Sequence, residues 1–78
     1  MADGFYAMDE AAVREHLRGA AGRLGHKLSI RPTHTADWIA ETVKTDDQGA
    51  TVGGYRVDGP TKLKAMRRLA DLIYGDQR

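Results

Sequence analysis

Six residues, Gly54-Tyr55-Arg56-Val57-Asp58-Gly59, carry the glycine spacing of a phosphate-binding loop and fall between a candidate strand and a candidate helix. In such a loop the second glycine is followed by Lys and then Ser or Thr, and backbone N–H groups cradle the phosphates. Here Pro60-Thr61-Lys62 follow instead, and Pro60 has no N–H to offer. The chain also has no pattern for a parallel sheet. Nucleotide hydrolysis is therefore not expected.

The other chemistry-bearing residues are equally dispersed. His16, His26 and His34 have no second histidine four residues away and no cysteine to join them. Metal binding needs converging ligands, so these read as surface or packing histidines, and neither metal nor cofactor is expected. Ser29, the sole serine, sits between Leu28 and Ile30 on a candidate strand, without the sharp turn a serine nucleophile needs. Asp46 and Asp47 are adjacent rather than opposed across a cleft, as acid–base work would require. Asp46-Asp47-Gln48-Gly49 also lacks the alternating acidic ligands of a calcium loop. No catalytic set emerges, and the expectation is a binding protein rather than an enzyme.

Charge is more informative. The formal net charge is only +1, so bulk charge points to no polyanion. The distribution is uneven. Arg14, Arg18, Arg23, Lys27 and Arg31 face only Glu15 in their stretch. Asp37, Glu41, Asp46, Asp47 and Asp58 outnumber Lys44 and Arg56 in the next. The last helix opens with Lys62, Lys64, Arg67 and Arg68 before any acid. Cations at a helix N-terminus oppose the helix dipole, and a broken local rule is where function is sought first. Lys62 and Lys64 thus read as an anion site, such as one for a nucleic-acid backbone, or as a solvated face. Asp37, Glu41, Asp46 and Asp47 read as a surface for a basic partner, or as ordinary polar turn chemistry.

The elements that must position these residues follow from periodicity. Residues 1–8 read as a loose arm, from which Phe5, Tyr6 and Met8 could pack back. Asp9 is an N-cap with Glu10 in the first turn. Val13, Leu17, Ala20 and Leu24 form one helical stripe, and Gly25 closes it. Gly19 and Gly22 inside this helix imply close backbone packing, or simply a weak helix. His26–Arg31 alternates as a half-buried strand ended by Pro32. Trp38–Lys44 is a second strand, Asp46–Gly49 a hairpin turn, and Ala50–Val57 a third strand weakened or bulged at Gly53-Gly54. Thr61 caps a last helix with a buried stripe of Leu63, Met66, Leu69, Ala70 and Ile73, ended by Gly75. Trp38 and Tyr55 are core residues, or interface anchors on an open face. The fold class is α+β, in α-β-β-β-α order: a three-stranded antiparallel sheet with both helices on one face, one domain over residues 9–75.

A chain of 78 residues without cysteine buries only about 60% of its unfolded surface, so self-association, as a homodimer, is the expected reinforcement. No run of apolar residues is long enough to cross a membrane. Met1-Ala2-Asp3-Gly4 has neither basic nor apolar signal-peptide character. A cytoplasmic location is the expectation.

The element order resembles the double-stranded-RNA-binding domain. Pro32-Thr33-His34, with Trp38 four residues on, is similar to that family's Gly-Pro-x-His loop and its following aromatic. Gly53-Gly54 falls where its third strand carries glycines, and Thr61-Lys62-Leu63-Lys64-Ala65-Met66 is similar to its Ser-Lys-Lys-x-Ala-Lys. The likeness spans residues 10–74. It implies that His34, Lys62 and Lys64 meet RNA backbone and groove. The chain departs from the pattern at Arg31, which replaces the loop glycine, and at Leu63 and Met66, which replace two lysines; Glu15 is the nearest counterpart of the minor-groove glutamate. In general character, a small domain rich in Ala, Gly, Arg and Asp also resembles phage anti-CRISPR inhibitors. That resemblance implies a protein partner, a Cas protein or surveillance complex kept from its DNA. Inhibition of a nucleoprotein complex is the first expectation; direct binding of double-stranded nucleic acid is the second.

Overall fold

The computed structural model describes residues 8–77. Five elements follow in order: α1 (Glu10–Leu24), β1 (Lys27–Pro32), β2 (Trp38–Thr45), β3 (Thr51–Gly59) and α2 (Lys62–Gln77). The α-β-β-β-α reading is thus the observed architecture. The strands form one antiparallel sheet in the order β1-β2-β3.

Local chemistry sets the ends of α1. The Asp9 carboxylate accepts the Ala12 N–H at 2.8 Å, satisfying one of the donors a helix start leaves free. Gly25 takes the left-handed conformation (φ 72°), and His26 N–H returns to the Ala21 carbonyl at 2.8 Å, a Schellman closure. The internal glycines do not mark close backbone packing. Gly22 and Gly19 are exposed. A Cβ on Gly22 would touch nothing within 4 Å, and one on Gly19 would meet only the Arg23 guanidinium at 3.4 Å.

The register places Leu28, Thr42 and Tyr55 in one row, and Ile30, Ala40 and Val57 in the next. Strand side chains alternate between faces, so these rows share the face that both helices cover. Val13, Leu17 and Ala20 of α1 and Ala65, Met66, Leu69, Ala70 and Ile73 of α2 are buried there with Ala40. Leu28, Ile30, Trp38, Tyr55 and Val57 pack partly buried against them, so Trp38 and Tyr55 belong to the core side. Thr42 is the buried polar residue among those described. Its hydroxyl meets His26 Nδ1 at 3.0 Å and accepts the Tyr55 N–H at 3.3 Å.

Two boundaries differ instructively from the sequence reading. The bulge in β3 lies at Val52, because Thr51 pairs with Thr45 while Gly53 pairs with Lys44. Gly54 has a different task. At φ 145° it lies so close to β2 that a Cβ would fall 2.0 Å from the Thr42 carbonyl oxygen. Second, α2 does not stop at Gly75 but runs through Gln77. Its last turn is held from outside the helix, since Tyr55 O–H donates to Asp76 and Gln77 Nε2 donates to Tyr55 Oη at 3.1 Å. Met8, assigned to the arm, packs against the core; Phe5 and Tyr6 lie outside the described residues.

Candidate functional site

The start of α2 is built by the residues just before it. Thr61 Oγ1 accepts the Lys64 N–H at 3.1 Å, which caps the helix. Gly59 is buried against the first turn, where a Cβ would stand 2.9 Å from the Ala65 nitrogen. Glycine at this point lets β3 run directly into α2 and fixes where the four cations emerge.

Three of those four cations are engaged within the fold. Lys62 Nζ lies 3.5 Å from the Glu10 carboxylate and over the Trp38 ring, 5.6 Å from its centroid, a cation–π arrangement. Arg67 Nη2 donates to the Met8 carbonyl at 2.7 Å. Arg68 Nη1 donates to the Asp58 carbonyl at 2.9 Å. Lys64 is exposed, with no side-chain partner among the described residues. His34 is exposed in the β1–β2 loop, where Ala36 takes a left-handed conformation (φ 70°). His34 lines a depression on the uncovered sheet face with Arg31, Ile39 and Arg56. Lys62 lies over Trp38 on the covered face. The five residues therefore share one end of the sheet but not one surface.

The acidic residues are likewise divided. Asp37 precedes β2 and lines a hollow with Ile39, Arg56 and Asp58. Asp46 and Asp47 follow β2 at its other end, roughly 25–30 Å away at the rise of an extended strand. Asp46 is a turn-former: its carboxylate accepts N–H groups of Gln48 and Ala50 at 2.9 and 3.0 Å. Asp47 is exposed. Glu41 lies between the two ends on the uncovered face, its side chain only 15% exposed. It accepts from Arg31 at 2.6 Å and lies 3.9 Å from Arg56 Nε. Two cations neutralise it, so Glu41 does not extend an acidic surface.

The sequence reading missed this Arg31–Glu41–Arg56 cluster. A signal was present: all three occupy polar positions of strand alternation, and a meander aligned by the Asp46–Gly49 turn puts Arg56 opposite Glu41. Also missed was Glu10 as partner to a cation of the other helix. Among the described residues, no group of three or more His, Cys, Asp or Glu could hold a metal ion, and no helix is long and apolar enough to cross a membrane.

His16, half-buried on α1, titrates below its ordinary value, first because burial disfavours the charged ring and second because Arg23 repels it. The Tyr55 hydroxyl is shifted upward, chiefly by its hydrogen bond to Asp76. Neither residue joins the cationic or acidic sets.

Comparison with known proteins finds no matching family model, no matching curated protein and no matching solved structure.

Proposed function

We propose that this chain is a non-enzymatic binding protein that inhibits a nucleoprotein complex, of the anti-CRISPR kind. In this reading it holds a Cas protein or surveillance complex away from its DNA, in the cytoplasm of the host cell. The observation that supports it is the engagement of Lys62, Arg67 and Arg68 by Glu10, the Met8 carbonyl and the Asp58 carbonyl. Each of these bonds takes only one of the cation's several donors, but it ties the head group to a fixed place on the fold. The three head groups are held by three separate acceptors rather than set along one track of phosphates, which favours a protein partner. Self-association as a homodimer belongs to the same proposal, with Val52, 57% exposed on the edge strand, and the uncovered sheet face as the surfaces to bury.

Direct binding of double-stranded nucleic acid is the second reading. Lys64 and His34, both exposed at the end of the sheet where α2 begins, favour it.

The test is retention of purified effector complexes on the immobilised chain, before and after nuclease treatment, with target-DNA binding measured alongside. The proposal expects retention that survives nuclease and a loss of target binding. Retention that disappears with nuclease would transfer the function to the second reading.

A further inference from the structure

β1 is an edge strand, and the phase of its ladder with β2 sets which backbone groups stay free. Thr33 N–H bonds the Asp37 carbonyl at 2.8 Å. In an antiparallel ladder the groups that face the neighbour recur every second residue. Arg31, Ser29 and Lys27 therefore turn their backbone groups to β2, and Leu28 and Ile30 turn theirs to the open edge.

The side chains of the same two residues form the apolar part of a groove of about 350 Å³ beside α1, whose other lining residues are Arg14, Arg18 and Lys62. Glu10 is shared by two of these cations, at 3.3 Å from Arg14 and 3.5 Å from Lys62. Arg18 is exposed and has no acidic partner among the described residues. Arg14 Nε is shielded from solvent without an acceptor among them, and an unmet buried donor is costly. The groove thus joins an unpaired strand edge, an apolar floor and an excess of cations over carboxylates.

We infer that this groove binds an extended acidic segment of a protein partner, added to the sheet along β1. Backbone pairing would come from Leu28 and Ile30. Side chains on the groove side of the added strand would lay their methylenes over the apolar floor and carry carboxylates to Arg14, Arg18 and Lys62, while the alternate set would face the uncovered side of the sheet, as in strand addition elsewhere. A nucleic-acid strand fits less well, since phosphates only accept hydrogen bonds and cannot complete a ladder of alternating N–H and C=O groups. A second copy through its own β1 fits less well too. Antiparallel pairing centred on Ser29 would set Lys27 opposite Arg31, and like charges directly opposed destabilise a sheet. Pro32 at the end of the strand and the cations at its flanks are the features that keep an edge from pairing with itself.

The inference rests on the reading of the chain as a binding protein, but it is tested separately. A short peptide alternating glutamate with valine is titrated into the isotope-labelled chain and followed by amide NMR. The counterpart with lysine for glutamate and a duplex RNA are run in parallel. The acidic peptide is expected to shift the Leu28 and Ile30 amides and slow their hydrogen exchange. Arg18→Glu, alone and with Arg14→Glu, is expected to weaken binding by about tenfold or more, ~1.4 kcal/mol, because the reversed charge repels the peptide's carboxylates. The single Arg18 variant, at an exposed site, keeps the test valid if the double variant unfolds. Several results would overturn the inference: no shift at those amides, equal binding of the lysine peptide, or tighter binding of the duplex at the same amides. So would shifts that grow with chain concentration alone. If the peptide docks but effector complexes are not inhibited, the inhibitor reading fails and the groove stands; inhibition untouched by Arg18→Glu reverses that outcome.

Discussion

The carboxylate of Glu10, first residue of α1, lies 3.5 Å from Nζ of Lys62, first residue of α2. The two helices therefore begin side by side, and the acid of one start neutralises the cation of the other. Lys62 alone opposes the dipole of α2 by ~0.3–1 kcal/mol. The partly exposed ion pair returns ~0.2–1 kcal/mol, so the two effects nearly cancel. Replacing Lys62 with methionine is expected to change stability little in the native background. In a Glu10→Gln background it is expected to stabilise, with a coupling of about 0.5 kcal/mol in a double-mutant cycle by urea unfolding. A coupling of zero would mean that the pair is only a proximity.

Gly22→Ala is expected to raise stability by ~0.5–1 kcal/mol, because the site is helical, exposed and empty around the missing Cβ. Gly54→Ala is expected to lower it by at least ~2 kcal/mol, because the new Cβ would overlap the Thr42 carbonyl at a φ that side chains rarely adopt. Thermal melts of the two variants moving in opposite directions would check both.

Thr42→Val keeps the shape of a buried residue and removes its hydroxyl. His26 Nδ1 and the Tyr55 N–H both lose that partner, at a cost of ~1–3 kcal/mol. Thr42→Ser retains the hydroxyl and is expected to cost less. Denaturant midpoints of the two variants read the difference; a Thr42→Val midpoint above that of Thr42→Ser would show that packing of the methyl group outweighs the hydrogen bonds.

His16 links stability to pH. Its folded value lies below the ordinary 6.5, so near pH 6 the unfolded chain binds more protons than the native one. Stability then rises with pH. The stability present above 6.5 is expected to fall as pH drops through 6.5, and to level off once the native ring also protonates. Unfolding of His16→Gln across that window is expected to show a flatter slope. An unchanged slope would assign the effect elsewhere.

The elements were readable where local chemistry decides them. Asp9 and Gly25 bracket α1, Asp46 and Gly49 make the hairpin turn, and the stripe from Leu63 to Ile73 marks the buried side of α2. Reading failed where distant groups decide. Gly75 looks like a stop, but the Tyr55 hydroxyl, some twenty residues away, holds the final turn through Asp76 and Gln77. The cations of α2 look available in the sequence because their acceptors do not. Two of those acceptors are main-chain carbonyls, of Met8 and Asp58, which no residue type announces. Asp37, Asp46 and Asp47 looked like one acidic stretch because they are close in sequence, yet a strand between them carries them to opposite ends.

The most direct measurement is a fluorescence-anisotropy titration with double-stranded RNA and DNA at low and moderate salt. With Lys62, Arg67 and Arg68 tied to three separate acceptors rather than aligned along one backbone track, the expected result is no binding beyond a weak, non-specific level. Affinity that falls steeply with salt, as phosphate contacts require, and that is lost in the Lys62→Glu, Lys64→Glu double variant would contradict it, and would make the start of α2 a nucleic-acid site.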